Sequence, residues 1–239
     1  MKKIILSIVL LAGFLISNAQ ESPAPKKKKS WAGLDLSSKD HLMIQYGVHS
    51  WMQKPDSINS KGFSRSFNLY FMYDMPFKTN PQFSIGVGVG VGSDNLFFKK
   101  TNVDLKSNDA LHFTKDTITN YKKFKLTTAY FEVPVELRFT QDPANPGKSL
   151  KAALGVTIGT MVNAHTKAKV TKDANNQGGY INKINDRNHF NNLRLAATAR
   201  IGVGFFSLFA SYQLNQFIKD GAGPADIKPM TIGITISGL

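Results

Sequence analysis

Residues 82–92 read QFSIGVGVGVG. Side chains alternate between the two faces of a strand, so Phe83, Ile85, Val87, Val89 and Val91 share one bulky apolar face. Ser84, Gly86, Gly88, Gly90 and Gly92 share the other, which carries almost no side chains. The apolar face needs cover from water. The glycine row lets other groups approach the backbone closely, as on the inside of a narrow barrel. A strand of a soluble sandwich alternates in the same way, so the rest of the chain must separate the two. A phosphate-binding loop is a weaker reading, because no Lys-Ser/Thr pair and no helix follow the glycines.

The chain opens MKKIILSIVLLAGFLISNAQ, with a basic pair, an apolar run and Ser17-Asn18-Ala19 before Gln20. This is the pattern of a secretory signal peptide over residues 1–19, cleaved on export. Residues 20–40 hold ESPAPKKKKS and read as a Lys/Pro-rich periplasmic linker, with Trp31, Leu34 and Leu36 anchoring the entry to a domain over 41–239. The absence of cysteine excludes a lipid-modified N-terminus, disulfides and thiolate metal sites. No later stretch resembles a transmembrane helix, so a membrane location must come from strands. The formal charge is +14, of which Lys2 and Lys3 leave with the signal. For an exported chain this points to outer-membrane lipid and lipopolysaccharide, with envelope proteins as further partners, and away from nucleic acid.

Alternation predicts strands over 41–48, 62–74, 82–92, 124–139, 150–163, 192–203, 206–214 and 230–239. In the second, Phe63, Phe67, Leu69, Phe71 and Tyr73 oppose Ser64, Ser66, Asn68, Tyr70, Met72 and Asp74. Pro134 lies mid-strand in the fourth, where a bulge is expected. Residues 51–61 read as a polar turn, 93–123 and 164–191 as long polar loops. Connections after the second, fourth and sixth strands are short, those after the third and fifth long. Transmembrane barrels keep short turns in the periplasm and long loops outside. The expected fold is an all-β, eight-stranded antiparallel transmembrane up-and-down β-barrel in a Gram-negative outer membrane. A soluble lipocalin-like barrel also has eight strands. The Gly-, Ala- and Ser-rich face suits a tight lumen better than solvent, and Gly47-Val48-His49 stands where a Gly-x-Trp opening would be.

The run Tyr130-Phe131-Glu132-Val133-Pro134-Val135-Glu136-Leu137, after a long loop and before a short turn, resembles the small outer-membrane β-barrel domain proteins of Bacteroidota, often labelled porin-family. The Ser-Asn-Ala-Gln signal end and Thr231-Ile232-Gly233-Ile234-Thr235-Ile236 are similar too. The resemblance implies an eight-stranded barrel in the outer membrane, and no shared catalytic residues. Some relatives serve secretion or gliding machinery.

Eight strands enclose a narrow lumen filled by side chains. Tyr70, Met72, Tyr130, Arg194 and Arg200 are expected inward, with a charge network of Glu132, Glu136, Lys151 and Arg200, because unpaired buried charge is costly. Arg65, Lys123 and Lys125 share parity with lipid-facing residues. They are expected at the outer headgroup level, clamping lipid A phosphates. The five histidines show no metal-ligand spacing. His49 and Ser50 are adjacent, so as strand neighbours they point to opposite faces and form no nucleophile–base pair. The reading is a non-enzymatic outer-membrane protein with a structural or interaction role, without cofactor or metal. The alternatives are a narrow passive channel and an outer-membrane subunit of a secretion or gliding machinery.

Overall fold

A computed structural model describes residues 42–56, 58–60, 63–107, 110–115, 120–172 and 179–238. The signal-peptide and linker assignments, with Trp31, Leu34 and Leu36, lie outside the described residues. The described residues form eleven strands: β1 (Leu42–Met52), β2 (Arg65–Pro76), β3 (Phe83–Phe98), β4 (Thr101–Val103), β5 (Phe113–Lys115), β6 (Asn120–Thr140), β7 (Leu150–Lys172), β8 (Ile181–Asn185), β9 (Leu193–Val203), β10 (Phe206–Gln213) and β11 (Lys228–Ser237). Eight of them, β1-β2-β3-β6-β7-β9-β10-β11, pair antiparallel in that order. β1 pairs β11 and β6 pairs β7, which closes the ring. Closure leaves none of the eight with an unpaired edge in the barrel wall.

Each strand turns its apolar parity outward. Phe67 and Phe71 on β2, Val89 and Val91 on β3, Phe131 and Leu137 on β6, Leu154 and Ile158 on β7, and Ile232 and Ile234 on β11 are all exposed. On β6 the outward apolar run is Phe131, Val133, Val135, Leu137 and Phe139. The nine-residue segment from Phe131 to Phe139, at about 3.3 Å per residue and a tilt near 40°, spans about 23 Å of membrane normal, matching a lipid-facing band. Short connections join β2 to β3, β6 to β7 and β9 to β10 at one end. The last is a two-residue turn in which Gly204 takes φ 62°.

Three expectations change. β3, β6 and β7 run on through what read as polar loops, to lengths of 16, 21 and 23 residues. β8 adds to β7, and β4 pairs β5. Trp51, expected in a polar turn, belongs to β1 and is buried. Its environment is an apolar cluster that fills the end of the barrel carrying the long connections: Ile58, Leu96, Phe98, Leu105, Phe124, Phe190 and Phe217 are among its members. Ile58, Leu105, Phe190 and Phe217 are scattered through polar connections and form no period in sequence. Only the fold gathers them. Third, no bulge forms at Pro134. The register with β7 runs unbroken from Glu132↔Gly159 through Pro134↔Thr157 to Glu136↔Gly155. The proline's missing N–H is accommodated on the other side, where pairing with β3 skips from Val87↔Val135 to Gly90↔Glu132. The nearest register shift falls instead between Ala129 and Tyr130, with Val162 the extra residue on β7; two more lie at the outer end, around Tyr121.

Candidate functional site: the lumen and the outer rim

The glycines act by letting side chains meet across them. Tyr70 on β2, Gly90 on β3 and Glu132 on β6 stand in one cross-strand row. That row continues through Gly159 on β7 to Arg194 on β9. Second-neighbour strands lie roughly 10 Å apart, yet the Tyr70 hydroxyl donates to Glu132 Oε2 at 2.5 Å, and Arg194 Nη1 donates to Glu132 Oε1 at 3.0 Å. Both bonds pass over a position that has no Cβ. A Cβ at Gly90 would lie 2.6 Å from the Tyr70 ring and against the Leu69 carbonyl, and one at Gly159 would lie 3.0 Å from Glu132 Cγ. Gly86 plays the same part under the Arg138 guanidinium.

The charges form two layers. In the layer nearer the apolar end, Arg194 Nη1 bridges Glu132 and Asp94, the latter also at 3.0 Å. His49 Nδ1 lies 3.6 Å from Asp94 and shares a hydrogen bond with Thr231 Oγ1 at 3.0 Å. The Arg194 guanidinium also sits 4.8 Å from the Tyr130 ring centroid. In the second layer, Glu136 Oε2 accepts from Arg200 Nη2 at 3.0 Å and from Arg138 Nε at 2.9 Å. Arg138 reaches Asp74 at 3.5 Å, and the Ser84 hydroxyl donates to Asp74 at 2.7 Å. Buried carboxylates and guanidiniums thus compensate one another, which buried charge requires. Beside Tyr70, Glu132 and Arg194 a space of about 10 Å3 remains, room for about one water.

The expected network of Glu132, Glu136, Lys151 and Arg200 is therefore redrawn. Glu136 and Arg200 meet. Glu132 does not share Arg200; it faces Arg194, four residues along the inward face of β7 from Glu136's own row. Lys151 is inward and buried, four residues along β7 from Gly155, the residue opposite Glu136. It lines a cavity of about 370 Å3 beneath Phe205 and the turn at Pro146. Asp94, Arg138, Asp74 and His49 complete the two layers. Asp94 escaped sequence reasoning because it fell in a presumed loop; continued alternation through Ser93, Asp94, Asn95 and Leu96 was the available signal.

His49 and Ser50 do point apart, one buried and one exposed. His49 meets Asp94 and Thr231 through the same ring nitrogen, so no relay from carboxylate through imidazole to hydroxyl is laid out. Among the described residues no group of three His, Cys, Asp or Glu is placed to hold a metal ion.

On the outside, Arg65 is exposed two residues beyond Phe67, at the rim of the apolar band. Lys123 and Lys125 are outward too, but six to eight residues beyond Phe131 on β6. That places Lys125 roughly 15 Å above the band. Arg65 stands opposite Asn95, and Lys125 one step further out opposite Phe97. Lys125 Nζ donates to Asn95 Oδ1 at 2.5 Å, and Lys123 Nζ lies 4.7 Å over the Phe97 ring.

A closed eight-stranded antiparallel cylinder, apolar outside and ion-paired within, is a transmembrane β-barrel. The chain belongs to the outer membrane protein beta-barrel domain family, whose model matches residues 8–218. An outer-membrane location follows from that membership. No curated protein and no solved structure gives a significant match.

Proposed function

We propose that this is a closed, non-catalytic outer-membrane barrel with a structural or interaction role at the cell surface. The observation that carries the reading is the filling of the lumen. Two layers of buried, ion-paired side chains cross it, the space beside Glu132 and Arg194 holds about one water, and an apolar plug of loop and strand side chains seals the end above them. A path for solute needs both to move. The plug also makes the long connections into a packed surface, held by Phe190–Phe217 and Trp51–Phe217 ring contacts at 5.0 and 5.2 Å. Such a surface suits recognition of lipid or envelope proteins more than transport. Export with cleavage after Ala19 belongs to the same reading.

Planar-bilayer recording of the purified barrel is the test. We expect no conductance steps at ordinary voltages, and no deacylase or protease activity in the same preparation. Open steps in the wild type overturn the closed-barrel reading, and turnover of lipid or peptide overturns the non-catalytic one.

A further inference from the structure

Beyond the apolar band, β6, β7 and β8 continue as a three-stranded sheet. Its outward face carries five lysines. Lys125, Lys167 and Lys183 stand directly opposite one another in one cross-strand row. Lys123 and Lys169 form the next row out. Lys123, Lys167, Lys169 and Lys183 are exposed and Lys125 is half-buried. Among the described residues no carboxylate forms an ion pair with any of them. The field is felt locally: burial, then Lys123, Lys167 and Lys183, hold the Lys125 ammonium below its usual range.

Like charges directly opposite across strands are destabilising. A single lysine on β8, whose outer edge is unpaired in the sheet, would serve to block edge-to-edge association. Edge protection does not ask for four more on the faces of β6 and β7. The opposite face of the same strands is apolar, with Phe124, Ala168 and Val170 packed into the plug, so the lysine face is held rigid. We propose that this five-lysine face binds the phosphorylated core saccharide of the lipopolysaccharide around the barrel.

The height selects the ligand. Lys125 lies six residues beyond Phe131 and Lys167 five beyond Val162, the last exposed apolar residues of their strands. That is roughly 12–15 Å above the lipid-facing band. Lipid A phosphates sit on the sugars that carry the acyl chains, below this level, whereas core phosphates are attached to the sugars above them. Lysines directly opposed on adjacent strands have Cβ atoms about 5 Å apart, so their flexible side chains can converge on one phosphate from two sides. The inference rests on the barrel's long connections facing outward.

The test uses the full-length barrel in detergent, with rough lipopolysaccharide bearing a phosphorylated core as one probe and lipid A lacking the core as the other. Native mass spectrometry reads retention. We expect the wild type to retain the core-bearing probe preferentially, and a Lys125→Gln/Lys167→Gln/Lys183→Gln variant to bind it about tenfold more weakly or worse. Lys148→Gln, at the short-turn end, should leave retention unchanged. Single Lys167→Gln and Lys183→Gln variants should give graded losses, which keeps the test open if the triple variant folds poorly. Equal retention by wild type and lysine variants overturns the proposal. So does equal retention of lipid A without core, or selective capture of an acidic protein in place of glycolipid. Lys183→Cys should react with an impermeant thiol reagent on intact cells; reaction only after lysis overturns the proposal through its orientation, independently of the chemistry of the face.

Discussion

Arg194→Met probes the upper lumen layer most directly. The guanidinium contacts Asp94 and Glu132 at 3.0 Å each, and the three side chains are at most 7% exposed. Removing one partner of a buried ion pair typically costs about 3–5 kcal/mol, because the remaining charge stays desolvated. Here one substitution strands two carboxylates and removes the cation facing Tyr130, so we expect the upper end, about 5 kcal/mol. With a urea dependence of about 2 kcal/mol per M, the unfolding midpoint should fall by about 2 M or more. The triple variant Asp94→Asn/Glu132→Gln/Arg194→Met buries no charge in this layer. The amide oxygen at position 132 still accepts from the Tyr70 hydroxyl. The triple variant should recover most of the loss, a coupling that independent sites do not show. The assay is urea titration of the barrel folded in phospholipid vesicles, followed by the gel-mobility difference between folded and heat-unfolded forms. Trp51, buried in the plug, gives a second signal. If Arg194→Met is no less stable than the triple variant, the charge argument is wrong and Arg194 acts only as packing.

Gly90→Ala should lower stability by about 1–3 kcal/mol, since the new methyl meets the Leu69 carbonyl and the Tyr70 ring and disturbs the Tyr70–Glu132 bond. Gly147→Ala, whose methyl would meet only Phe205 at 3.6 Å, is the control; equal effects in the same titration contradict the close-approach argument. His165, beyond the lipid band on β7, is held below 6.5 by burial and then by Lys183, Lys125 and Lys167. Its folded form therefore binds fewer protons than the unfolded chain just below 6.5, so stability falls as pH drops through that window. NMR titration should find its pKa raised in Lys125→Gln/Lys183→Gln; no change refutes the shared field of the lysines.

What the sequence determined by itself follows from period-two alternation. It settles which face of each strand meets lipid, the number of barrel strands and the alternation of short and long connections, because the bilayer demands an unbroken apolar exterior and the lumen of a small barrel admits only one inward row per strand. The glycine row also announced that something large would lie over it. Which partners meet across the glycines was decided by register: Glu132 finds Arg194 because both lie in the row through Gly159, while Glu136 finds Arg200 one layer away. No local pattern encodes the pairing of residues that far apart in sequence. The outer extension of β6–β7–β8 was hidden for a different reason. Along residues 165–170, Thr166, Ala168 and Val170 face the plug while His165, Lys167 and Lys169 face out. That alternation is legible, but its polar members suggested a loop until the loop-borne apolar residues were brought together beneath it. Only tertiary structure supplies that plug, because Trp51 at the end of β1 and Ile58, Leu105, Phe190 and Phe217 from four separate connections bury their surface in one cluster.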